Sequence, residues 1–189
     1  MSIPATLEHN LVRGRAVTNI ALVIAGSVII ALAAQIAVPI PFTPVPLTLS
    51  PLAVLIVGIV LGSRRGAAAA ILYLLEGLSG LPVGAQGHGG PLWLIGPTAG
   101  YLYAYPFAAF IAGWFSERGW GNSIPRAFAA MLVALAVIYA GGWSWLAILA
   151  GPRAALTIGV MPFVIADLVK IAIGAALLPY AQRLVTRLS

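Results

Sequence analysis

In the stretch PFVIADLVK, residues 162 to 170, two side chains can do chemistry that their apolar neighbours cannot. Asp167 is a carboxylate acceptor and Lys170 a cationic donor. With Pro162 in the first turn of a helix, a normal start, Asp167 lies about 7 Å and Lys170 about 12 Å along the axis. At i and i+3 they share one face. Each would cost roughly 2.5–3.5 kcal/mol at a bilayer centre, so neither is expected to face lipid. Two readings follow. One is a structural ion pair that locks helix packing. The other is a ligand site in which Lys170 keeps Asp167 ionised while Asp167 accepts hydrogen bonds from a ligand.

A second set of candidates lies in EGLSGLPVGAQGHGGPLWLIGPTAGYLYAYPF, residues 76 to 107, which carries eight glycines and four prolines. Glycine lets backbone approach a ligand closely and can present N–H groups to an anion; a plain flexible loop would have the same composition. Trp93, Tyr101, Tyr103 and Tyr105 suit either a pocket wall or a membrane-interface belt. Glu76 is a third buried-looking charge, readable as a ligand contact, a partner for Arg153 or a proton site. A third candidate is VPIPFTPVPLTLSP, residues 38 to 51, with five prolines and no charge. Prolines at this density favour an extended chain with few helical hydrogen bonds. Such a segment serves as a flap over a cavity, with Phe42 and Thr43 at its tip, or as a turn packed permanently against a bundle.

The elements that must position these residues are membrane helices. Of 189 residues, 61% are hydrophobic and 7% charged, with a mean hydropathy of +1.05; a soluble domain carries about a quarter charged residues. The net charge of +6 comes from basic residues at the ends of apolar runs, without the aromatic-interleaved patch that nucleic-acid binding would need. No cysteine is present, which excludes disulfides and thiolate chemistry, and His9 and His88 have no metal-ligand spacing. No cofactor or metal is called for. Cleavage of the first apolar run as a signal peptide is not expected, because that run continues to Val38.

Spans are expected at about 16–38, 47–63, 66–78, 97–115, 125–150 and 162–185. The third is short, thirteen residues or about 20 Å of helix. If all six cross, Arg13/Arg15, Arg64/Arg65, Arg118/Arg126 and Arg183/Arg187 share one face and only Arg153 lies opposite, which the positive-inside rule favours. The expectation is a single all-α integral membrane domain, residues 1–189, multi-pass in the cell inner (plasma) membrane. It is a six-helix bundle with both termini cytoplasmic and a ligand pocket near the outer face. No phosphate-binding loop is present, so ATP-driven work would come from a partner. On the first span, Ala21 and Ala25 form a small-x-x-x-small pair, a motif for close helix approach.

Several stretches together resemble the biotin-specific substrate-binding component (BioY family) of energy-coupling factor transporters. They are IPFTPVPLTLSP, VLGSRRGAAAAILYLLEGLSGLPVGA, GGPLWLIGPTAGYLYAYPF and PFVIADLVK. The resemblance implies a biotin pocket near the outer face, a first outer loop acting as a lid, and an alanine motif on helix one that docks onto the transmembrane coupling subunit. By position, Asp167 and Lys170 match the acidic-basic pair of the last helix, Phe42 and Thr43 the lid, and Ala21 and Ala25 the docking motif. Tyr101 and the Gly96-Pro97-Thr98 turn match the entrance to helix four. Two positions depart from the family pattern: Ala166 stands where a glycine precedes the aspartate, and Gly84 replaces an aromatic residue, whose surface Trp93 could supply.

The implied ligand suits the residues. Biotin's ureido ring offers two N–H donors and a carbonyl acceptor beside an apolar fused ring. Asp167 suits the N–H groups and Lys170 suits the carbonyl or stabilises the aspartate. For the carboxylate tail, the candidates are backbone N–H groups at Gly87 to Gly90, Gln86 and Arg153, with that end expected nearer the loops. The implied function is high-affinity biotin capture for uptake, with coupling and ATPase subunits as partners and no enzymatic step. The alternatives are an equivalent subunit for another small vitamin, a membrane enzyme using Asp167, Lys170 and Glu76, and a structural scaffold.

Overall fold

The computed structural model describes the backbone of residues 5–188 and the side chains of residues 15–178. The side chains of His9, Arg13, Arg183 and Arg187 lie outside the described residues. Seven α-helices build the described chain: α1 Ala5–Gln35, α2 Ser50–Leu61, α3 Ser63–Leu78, α4 Ala99–Glu117, α5 Ile124–Ala150, α6 Pro152–Gly159 and α7 Met161–Leu188. An antiparallel ribbon, β1 Ala37–Val38 with β2 Leu47–Thr48, pairs Ala37 with Thr48 and Val38 with Leu47.

Among the described residues, three segments are long and apolar enough to cross a membrane: Arg15–Gln35, Ile124–Ala150 and Met161–Leu178. α2 is shorter, 12 residues, because the apolar run expected from residue 47 begins as ribbon and turns helical only at Ser50, with Pro51 in the first turn. The short run expected at 66–78 extends back to Ser63 and gains a turn. The break between α2 and α3 is therefore not at the Arg64/Arg65 pair but at Gly62, whose φ of 84° lies where only glycine is at ease. The connection expected at 151–161 holds α6, started by Gly151 and Pro152.

α4 occupies the middle of the bundle, packed on α2, α3 and α5; α1 leans on α3 and α2, and α7 on α5 and α2. The outward faces of α1 and α7 are apolar: Ile20, Ile24, Leu32, Ile165, Ile173 and Leu177 are all exposed. Monomeric soluble proteins rarely expose so much contiguous apolar surface, and hydrocarbon is the environment that suits it.

The two ends of the bundle are built differently. At one end, the α2–α3 break meets the last turn of α4. Glu117 Oε1 accepts from the Ser63 N–H (2.7 Å) and the Ser63 hydroxyl (2.8 Å), capping α3 from another helix, and the Ser116 hydroxyl donates to the Ile59 carbonyl (2.8 Å). At the other end the three irregular connections meet: the Thr43 hydroxyl donates to the Ile158 carbonyl (2.6 Å), and Gln35 Nε2 lies 3.1–3.4 Å from the carbonyls of Pro82, Val83 and Gly84.

The Ser63 N–H, then its hydroxyl, hold the Glu117 carboxyl below its ordinary value, and Arg118 and Arg64 add to the effect. A group depressed by folding stabilises only while ionised: the contribution is present above the unfolded value and is lost as pH falls through the folded one. Glu117→Gln is therefore expected to lower the thermal midpoint near pH 7, by less than about 1 kcal/mol for so exposed a group. The difference should close as pH falls below the ordinary glutamate value of about 4.3. Paired melting curves of wild type and variant across that range check both the sign and the window.

Candidate ligand-binding site

α7 begins at Met161, so Asp167 and Lys170 sit in its second and third turns. Asp167 is 4% exposed. Its Oδ1 takes a 2.8 Å ion pair from Lys170 Nζ, and its Oδ2 accepts from the Tyr139 hydroxyl of α5 at 2.7 Å. Lys170 Nζ also donates to the Thr48 carbonyl of β2 at 2.7 Å. One carboxylate thus gathers α5, α7 and the base of the proline segment. A carboxylate can accept about four hydrogen bonds, and Asp167 uses two here, leaving acceptor capacity on the side that lines a cavity.

That cavity encloses about 610 Å³ including its mouth and is walled by Tyr73, Trp93, Tyr101, Tyr105, Tyr139 and Phe163, with Thr48 and Ser50 adding hydroxyls. The aromatic groups are held from behind. Trp93 stands edge-on to Tyr73 with centroids 5.5 Å apart, over Gly77, where a Cβ would meet the indole at 1.9 Å. Tyr101 lies against Gly142 and its hydroxyl donates to the Gly159 carbonyl, joining α4 to the end of α6. Pro46, Ala85, Trp93 and Thr98 also line a second space of about 1110 Å³, a cleft between the 39–46 and 85–98 connections. The inner cavity and the loop cleft therefore share a common rim.

The residues expected from sequence divide between these spaces. Asp167, Trp93 and Tyr101 line the inner cavity. Thr43, Gln86 and the Gly96-Pro97-Thr98 turn line the loop cleft, Trp93 facing both. Lys170 lies behind Asp167 and holds Thr48. Phe42 lines neither space and is 67% exposed at the loop tip. Glu76 also lines neither: both its oxygens lie against the Ser27 hydroxyl, at 2.7 and 2.6 Å, so it faces α1 rather than Arg153. Its neighbour one turn back, Tyr73, takes the cavity face of α3. Ala21 and Ala25 are exposed on α1. The backbone N–H groups of Gly87, His88 and Gly90, expected as anion donors, are already given to the carbonyls of Gly84, Ala85 and Gly77.

Sequence reasoning missed Tyr139, Tyr73 and the Thr48–Ser50 hydroxyls, and left Tyr105 open between pocket wall and interface belt. For Tyr139 a signal existed: a phenol in the middle of an apolar helix needs a partner, although its identity, 28 residues away, is a tertiary fact. Because Lys170 neutralises a buried carboxylate, Lys170→Met is expected to destabilise by about 3 kcal/mol or more. Adding Asp167→Asn should recover most of that loss. Thermal unfolding in detergent checks this, and equal losses in the single and double variants would contradict it.

Comparison with known proteins agrees with this architecture. The BioY family model matches residues 6–187. A probable biotin transporter BioY of Pyrococcus horikoshii is 42% identical over 74% of this chain and 80% of its own. The biotin transporter BioY of Rhizobium etli is 37% identical over 80% of this chain and 85% of its own. In fold, the chain is similar to the crystal structure of the S-component for biotin from an ECF-type ABC transporter, with a TM-score of 0.81 at 23% identity, covering 90% of this chain and 93% of that one. With a match running over nearly its whole length, and with relatives of this similarity, the chain belongs to the BioY family.

Proposed function

We propose that this chain is the high-affinity biotin-binding membrane subunit, the S component, of an ECF-type transporter, and that it mediates biotin uptake. The observation that carries the reading is the Asp167 carboxylate, buried and fixed by Tyr139 and Lys170, at the wall of a cavity otherwise built from aromatic rings. A carboxylate with spare acceptor capacity matches the two ureido N–H groups of biotin, and the rings cover its bicycle. Family membership and relatives named biotin transporters support the choice of ligand. Thr48 and Ser50 hydroxyls stand in the same cavity for the ureido carbonyl.

In this reading the chain passes the inner membrane six times, as α1 to α5 and α7, with both termini cytoplasmic and the irregular connections outside. The capped, arginine-bearing end with Arg64, Arg65 and Arg118 is then cytoplasmic, as the positive-inside rule favours. The 39–46 connection, hung on the β1–β2 ribbon and fastened through Thr43 to Ile158, is the lid. Ala21 and Ala25, exposed on α1, meet the transmembrane coupling subunit, and ATPase subunits supply the energy. The subunit binds and releases; it does not turn over its ligand.

The test is calorimetric titration of the detergent-purified chain with biotin, beside an analogue lacking the ureido pattern. Saturable binding of biotin alone is expected. Asp167→Asn should weaken it about ten- to a hundredfold, the value of hydrogen bonds to a charged group, in a variant that remains folded. Unchanged affinity in that variant would remove Asp167 from the site, and no binding of biotin to folded wild type would remove the ligand.

A further inference from the structure

We infer that the site accepts biotin whose carboxyl group is capped as an amide on a primary amine, not the free acid alone. This rests on the biotin reading above and follows from how the two spaces are lined. Among the described residues lining the inner cavity Asp167 is the one charged group, and Lys170 pairs with it from behind without lining the space, so the chamber presents an acceptor face that the ureido N–H donors fit and a ligand carboxylate, itself only an acceptor, does not. The acyl tail then passes the shared rim of Pro46, Ala85, Trp93 and Thr98 into the loop cleft.

That cleft offers a carboxylate no permanent cation. Its described lining contains no lysine or arginine. The glycine-rich turn has spent the N–H groups of Gly87, His88 and Gly90 on chain carbonyls. His88 Nδ1 lies 2.6 Å from the Ala85 carbonyl, which requires that nitrogen to be the donor. Gln86, exposed beside it, offers a neutral amide that can donate to an acid or to an amide carbonyl. A site built around one group of its ligand rejects an analogue lacking that group by orders of magnitude; a cleft without lysine or arginine has no fixed charge by which to demand the acid. The cleft is also open, about 1110 Å³ including the solvent space at its mouth, so an extension beyond the tail can leave between the two connections.

The experiment is calorimetric titration of the full chain in detergent with biotin and with its butylamide, in wild type and in Leu92→Lys. Leu92 lines the loop cleft and is 77% exposed, so a lysine there adds a cation without disturbing the packed core. The butylamide is expected to bind wild type within about tenfold of biotin. Leu92→Lys should strengthen biotin a few-fold relative to the butylamide, because only biotin carries a charge into the cleft. A butylamide more than about tenfold weaker than biotin, or a lysine that shifts both ligands equally, would overturn the inference. If biotin itself fails to bind folded wild type, the vitamin reading falls and the inference with it; a normal biotin signal beside a failed amide isolates the inference as the error.

Discussion

A carboxylate inside a bundle surrounded by hydrocarbon has to be neutralised and hydrogen-bonded, and the arrangement around Asp167 follows from that requirement. Lys170, one turn along the same helix, supplies the charge. Tyr139 supplies a second donor from α5. Neither solution is local in its consequences. The lysine also takes the Thr48 carbonyl, so the strand that closes the proline segment is held by the same cation that pairs with the aspartate. The pair therefore locks helix packing and shapes a cavity wall at once, and the two readings open at the level of sequence are not exclusive.

The same rule explains the loop end of the bundle. Irregular backbone near membrane depth is tolerated only where its polar groups find partners. Here side chains from the regular helices supply them: Tyr103 donates to the Leu94 carbonyl at 2.6 Å and Trp145 to the Gly96 carbonyl at 3.0 Å, while Gln35 spans the carbonyls of 82 to 84. The aromatic residues of α4 and α5 are thus divided between walling the cavity and fastening its roof. The opposite end needs less of this, because α2 and α3 meet with only Gly62 between them and one carboxylate, Glu117, caps the junction.

How much of this could be read in the sequence depended on the range of the interaction. Long apolar runs are local, and the observed α1, α4, α5 and α7 fall within a few residues of the expected spans after residue 15. The α2–α3 break was misplaced by two residues because arginines are visible as charge, whereas a positive φ at Gly62 is not. The i, i+3 spacing of Asp167 and Lys170 was enough to predict their contact. Tyr139 and Thr48, 28 and 122 residues from their partners, carried no such signature. Glu76 shows the opposite failure: its charge was conspicuous, but which side of α3 it occupied depended on the packing of α1, and Ser27 claims it.

The central claim is that the Asp167 carboxylate meets the ureido N–H groups of biotin. A double-mutant cycle tests it most directly, pairing Asp167→Asn with a biotin methylated on its ureido nitrogens and measuring all four affinities. If the two groups touch, the losses overlap: the methylated ligand should bind the variant nearly as well as biotin does, with a coupling of about 1–3 kcal/mol. Losses that simply add would mean that the carboxylate and the ureido ring never meet, and would contradict the account.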